Sequence, residues 1–255
     1  MGFIRGILLI LVIVLLFLSL FLGNVFLTLN LSLDYENVQP KLVSAIKDVI
    51  EKEINLIGGI EEEFEFMKPH CQNNSKFVFS YSEYTFEIPC EVVDEGLEAV
   101  IDYQINSFVE EIYYKDYECD FWDCIGETEY PFFLVSAKAK DYWGEKFYFS
   151  LIASVIFIAL IFFLVEHKTN LPILVGSLLT ISALPFIKLD WILSFINKYI
   201  LGFLTIFFTK AHTVFLIGLI SGIVIFGIGI ILKFFNLFDK FGKKKEDKAS
   251  KNKKE

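Results

Sequence analysis

Long apolar runs alternate with one long polar stretch along this chain. Residues 6–29, 147–165, 171–187 and 213–232 contain no Asp, Glu, Lys, Arg or His. About 17–25 apolar residues in a helix cross roughly 30 Å of hydrocarbon. The four runs therefore predict four transmembrane helices, the third being short for a span. The fold class that follows is a polytopic α-helical membrane protein. A small disulfide-bearing α+β extracytoplasmic domain lies between its first and second spans.

The flanks of these runs carry their own signals. The first run, within residues 1–30, is longer than the apolar core of a cleaved leader, and no A-x-A-like site follows it. It reads as an uncleaved signal anchor. Tyr142, Trp143 and Tyr148 crowd the start of the second run, as amphipathic rings do at a membrane interface. Glu166, His167 and Lys168 end it. Asn170 is placed to cap the third helix, and Pro172 suits its first turn. In the last run Gly218 and Gly222 form a small-xxx-small pair, which lets helix backbones approach closely. Packing against a sister helix is the expected use; a dimer face is the alternative.

Residues 147–235 form the membrane domain, and 189–209 is its ambiguous part. Asp190, Ser194, Asn197, Lys198, Thr205 and Thr209 recur at spacings near three and four on an otherwise apolar segment. This predicts an amphipathic helix, with Ser194, Asn197, Lys198 and Thr205 as its polar stripe. Such a helix lies in the interface, re-enters, or spans with its stripe turned to water or other helices.

In the polar stretch, residues 31–146, Leu42, Val43, Ile46, Val49, Ile50, Ile54 and Ile57 recur at helical spacing over 40–57. Val93, Leu97, Val100, Ile101, Ile105, Phe108 and Ile112 do the same over 93–116. The alternating, aromatic-rich segment 76–89 predicts two short strands or one bent strand, and 131–137 (PFFLVSA) is a further strand candidate.

Charge separates the regions further. Residues 31–146 hold 26 Asp and Glu against 9 Lys and no Arg, whereas 233–255 hold 9 Lys against 4 acids. Basic flanks prefer the cytoplasm. Arg5 and the lysine-rich end then place both termini inside, which requires an even number of spans and puts 31–146 outside. The expected location is the plasma (cell) membrane, as a multi-pass protein. Residues 236–255, nearly all polar, predict a basic disordered cytoplasmic tail.

All four cysteines, Cys71, Cys90, Cys119 and Cys124, lie in the acidic stretch. Disulfides persist in oxidising space, so an even number confined there predicts two bridges. Three pairings are open. Cys71–Cys90, bracketing the strand region, with Cys119–Cys124 closing a tight loop, is preferred. His70 with the cysteines lacks the spacing of structural zinc sites. The Cys119–Cys124 spacing is not the C-x-x-C of exchange enzymes, and Asp120 and Asp123 would oppose a thiolate. The acid runs match no calcium loop. No metal, cofactor or catalytic residue is expected. Asn73 begins an N-x-S sequon and is a candidate glycosylation acceptor.

The spans lack the ionisable groups that transporters and pumps use, and no catalytic or phosphate-binding motif occurs. The expectation is a non-enzymatic surface protein whose outer domain contacts an unknown extracytoplasmic protein or envelope component. A homo-oligomer is compatible with this, the lipid bilayer is a partner, and nucleic acid is not. The alternatives are an oligomeric channel with an acidic, cation-attracting vestibule, and an accessory subunit of an envelope or secretion complex.

Overall fold

A computed structural model describes residues 3–52, 64–81, 84–127, 131–189 and 202–251. These residues are mostly helical, with one two-stranded sheet among them. It divides into two units: Met1–Ser32 with Trp143–Glu255, and Leu33–Tyr142. Among the described residues four helical segments are long and apolar enough to cross a membrane. They are Phe3–Ser32, Ala137–Leu164, Lys168–Lys188 and Thr205–Phe235.

The first unit is built from α1 (Phe3–Ser32), most of α7 (Ala137–Leu164), α8 (Leu171–Ala183) and α9 (Ala211–Lys251). Two apolar clusters hold it. Val12 and Leu16 of α1 pack with Ile161 of α7 and Val175 of α8. Ala183 and Phe186 pack with Ala211 and Phe215, and Phe21 and Val25 of α1 close that cluster. A 3₁₀ turn, Leu184–Lys188, extends α8. Asn170 does not cap α8 with its side chain. It ends a 3₁₀ turn in helical backbone conformation, where the extended geometry of a cap is lost.

Residues 190–201, and with them Ser194, Asn197 and Lys198, lie outside the described residues. The described part of the expected 189–209 helix, Gly202–Phe208, is 3₁₀ rather than α. The lysine-rich end also differs from expectation, because α9 continues to Lys251. Lysine, which dominates there, is a good helix former and needs no core to propagate a helix already nucleated.

The second unit contains α2 (Tyr35–Lys52), α3 (64–71), the hairpin β1 (Lys76–Tyr81) and β2 (Tyr84–Pro89), α4 (Cys90–Glu95), α5 (Leu97–Tyr114) and α6 (Phe121–Glu127). The strands pair antiparallel, from Lys76 opposite Pro89 to Tyr81 opposite Tyr84. Phe64 and Met67 of α3, Ile88 of β2, Val93 and Val100 form a core, with Phe77 and Leu97 against it. The helix expected over 93–116 is broken at Gly96, whose φ of 114° is strained for any residue with a side chain. Its N–H bonds to Val93 O, closing α4, and its carbonyl accepts from Val100 N, opening α5.

The segment 131–137 is not a strand. Pro131–Val135 is a 3₁₀ turn, and Ser136 caps α7, its Oγ accepting from Ala139 N at 3.3 Å. A short apolar run fits either conformation, and here the cap decides.

Candidate functional site

Three places carry chemistry beyond apolar packing: a polar seam among the apolar helices, the contact of α8 with α9, and the disulfide-closed surface of the acidic unit.

The seam follows one side of α1. Ser19, Asn24, Thr28 and Ser32 are buried there among long aliphatic neighbours. Ser19 Oγ donates to Ser150 O at 2.9 Å, and Ser150 Oγ donates to Ser19 O at 2.6 Å. Ser154 Oγ donates to Ser19 Oγ at 3.0 Å. Asn24 Nδ2 donates to Ser182 Oγ at 3.2 Å, and Ser182 Oγ donates to Leu179 O. Thr28 bonds back to Asn24 O, and Lys210 N donates to Ser32 Oγ at 3.0 Å. Each buried hydroxyl thus meets a protein partner, which such a group requires in an apolar setting. The sequence signal was present, since Ser19, Gly23, Asn24, Thr28 and Ser32 step by one helical turn or a single residue; it escaped because none is charged. Arg5, the chain's only arginine, donates through Nε to Leu164 O at 2.8 Å. It satisfies a carbonyl at the C-terminus of α7, where helices leave acceptors unpaired and cations are favoured.

Gly218 and Gly222 sit in the contact of α9 with α8. A Cβ on Gly218 would stand 2.7 Å from Ala183 Cβ, and one on Gly222 would stand 2.9 Å from Gly176 O. Gly176 is the reciprocal position, where a Cβ would lie 2.7 Å from Gly222 O. These glycines are occupied by packing within the chain.

The structure pairs Cys71 with Cys90 and Cys119 with Cys124, with Cα separations of 5.3 and 5.4 Å. The first bridge ties α3 to the end of β2. Asn73 is exposed in the turn between α3 and β1, and His70 packs edge-on against Phe77. Among the described residues no cluster of three His, Cys, Asp or Glu is placed to hold a metal ion. The second bridge closes the start of α6. There Cys124 N donates to Asp120 O at 2.8 Å, and Phe121 stacks on Tyr142 with centroids 3.9 Å apart. Phe121 and Cys124 are buried, whereas Trp122 is 68% exposed. Sequence reading passed over Trp122, since nothing in the pattern separates it from its buried neighbour.

α2 and α5 brace this unit. Gln39 Nε2 donates to Asn106 Oδ1 at 2.6 Å, Lys47 pairs with Asp102, and Lys140 pairs with Asp34 at 2.9 Å. Tyr113 OH donates to Leu33 O at 2.8 Å. Burial, reinforced by Asp34, Tyr114 and Asp141, pushes the Tyr113 phenol well above its ordinary value. Tyr35, against Tyr113 and Tyr114, is raised too, by burial first and then by Glu110.

Thr205 is in the 3₁₀ turn Gly202–Phe208 and partly buried. The four helices that, among the described residues, are long and apolar enough to cross a membrane suggest a membrane protein. No family model matches the chain, and no characterised protein or solved structure matches it either.

Proposed function

We propose that this chain is a four-span integral membrane protein of the plasma membrane that displays a non-catalytic, acidic binding module outside the cell. The Arg5 flank of α1 and the lysine-rich end of α9 are cytoplasmic, and 33–142 is extracytoplasmic. The observation that carries this reading is the opposite use of polar chemistry in the two units. Between the apolar helices, Ser19, Ser150, Ser154, Asn24 and Ser182 are spent on one another, which supports an anchor rather than a conduit. The unit 33–142 holds both disulfides and 25 Asp and Glu against 8 Lys. Its bridges suit an oxidising compartment, and its field suits a cationic partner. An envelope component or another protein with a basic surface fits that description.

The test uses intact cells. An impermeant reductant followed by an impermeant maleimide should label Cys119, while a cysteine at Ser250 should stay unlabelled until the cells are opened. Labelling at Ser250 in intact cells would reverse the topology. Ion flux through liposomes holding the purified chain would overturn the anchor reading.

A further inference from the structure

We propose that Asn73 is an acceptor for N-linked oligosaccharide, carried on a turn that the fold holds open to solvent. The proposal rests on the outer placement of 33–142. The chain has two N-x-S sequences, Asn30-Leu31-Ser32 and Asn73-Asn74-Ser75, and the motif alone does not rank them. The structure separates them.

Transfer of a sugar needs the asparagine amide and the hydroxyl two residues on presented together to one enzyme. Asn30 and Ser32 lie at the end of α1. Residues two apart on a helix point about 200° from each other, so one surface does not receive both. Both side chains are also engaged. Ser32 is buried, and its Oγ accepts from Lys210 N at 3.0 Å. The Asn30 amide lies against α7, where a Cβ on Gly144 would stand 2.8 Å from Asn30 Nδ2.

The surroundings of Asn73 are the reverse. α3 stops at Cys71, and β1 starts at Lys76. Gln72 and Asn73 form a turn, Asn74 and Ser75 belong to neither helix nor strand, and all four are exposed. The backbone here is held all the same. Asn73 N donates to His70 O at 3.4 Å, and Asn74 Nδ2 donates to the same carbonyl at 3.0 Å. A carbonyl left open at the end of α3 is thereby satisfied by the neighbour of Asn73. On the other side Ser75 O accepts from Cys90 N at 3.0 Å, beside the Cys71–Cys90 bridge. These contacts use the backbone of Asn73 and Ser75 and the side chain of Asn74. The amide and the hydroxyl that the transfer requires stay out of them.

In the reaction Asn73 Nδ2 bonds to the anomeric carbon of an oligosaccharide carried on a lipid diphosphate. The bond from that carbon to the diphosphate oxygen breaks, one amide hydrogen leaves as a proton, and the lipid diphosphate departs. Donor and transferase belong to the host and act on the extracytoplasmic side. A hydrated sugar on an exposed turn buries no polar group.

The test translates the full chain into microsomes, whose transferase works only on the lumenal face. One glycan is expected, removable by an amidase specific for N-linked sugar. Asn73→Gln and Ser75→Ala should abolish it, while Ser75→Thr and Asn30→Gln should keep it. A glycan that survives Asn73→Gln would overturn the proposal. So would an unmodified chain whose unit 33–142 is protected from external protease in the intact microsomes, although the outer placement would then stand. If the unit is digested and no glycan is added, the placement falls and the proposal with it.

Discussion

Ser19 and Ser150 each donate a hydroxyl hydrogen to the other's backbone carbonyl, at 2.9 and 2.6 Å. The two bonds join α1 to α7 where Gly23 lets them come close, since a Cβ on Gly23 would stand 2.8 Å from Ser150 Oγ. Interhelical bonds in apolar surroundings contribute about 0.6 kcal/mol each, and up to about 1.7. Ser19→Ala with Ser150→Ala should therefore cost about 1–2 kcal/mol. Gly23→Leu, which fills the space of the contact, should cost more. Thermal unfolding of the detergent-solubilised chain checks the order, and equal losses from the two variants would contradict it.

Gly222 is the tightest position between α8 and α9. Gly222→Val puts branched carbons against Thr180 and the Gly176 carbonyl. Overpacking typically costs about 1–3 kcal/mol, and here backbone blocks the relief. The variant should lower the unfolding midpoint sharply, whereas Gly227→Ala, at an open position, should leave it unchanged. Were Gly222 instead a dimer contact, its substitution would change oligomeric state at constant stability, which native mass spectrometry reads directly.

The two disulfides should differ in weight. Cys71–Cys90 closes a separation of 19 residues and Cys119–Cys124 one of 5. The loop-closure entropy removed from the unfolded chain corresponds to about 3 and about 2 kcal/mol respectively. Denaturant unfolding of the paired Cys→Ala variants should rank them in that order.

Stability should fall in strong base. The folded chain holds the Tyr113 proton more tightly than the unfolded chain, whose phenol keeps its ordinary value near 10. Between those two values only the unfolded state loses the proton, so the contribution, complete below pH 10, is lost as pH climbs above it. Tyr113→Phe should cost about 1 kcal/mol at neutral pH through the lost bond to Leu33 O. It should also flatten the alkaline decline, leaving the smaller part due to Tyr35. An unchanged decline in Tyr113→Phe would assign it elsewhere.

The parts of this molecule that could be read from its sequence were set by length and count. A spanning helix needs many consecutive apolar residues, and the four runs met that need. The bridge between Cys71 and Cys90 followed from their bracketing of an alternating segment, which folded as the hairpin β1–β2. What escaped depended on single residues acting over short range. Gly96 divided one helical periodicity into α4 and α5, because apolar spacing carries no information on backbone sign. Ser136 turned a β-like run into a helix start. Asp34 and Tyr35 began α2 ahead of Pro40, which stands inside the helix instead of opening it. The pairing of the seam on α1 could not be read from the sequence for a different reason. Its partners, Ser150, Ser154, Ser182 and Lys210, lie 131 to 178 residues away, and local pattern cannot pair them.

That separation bears on biogenesis. α1 leaves the ribosome before α7, α8 and α9, and it carries hydroxyl and amide groups whose partners have not yet been made. Ser19 must wait for α7, Asn24 for α8 and Ser32 for the residues just before α9. Until then a translocating chain must shelter α1 from lipid, either inside the insertion machinery or against a chaperone. α1, made ahead of its partners, is thus finished only after them, and nascent chains halted before Lys210 should remain in the custody of the insertase.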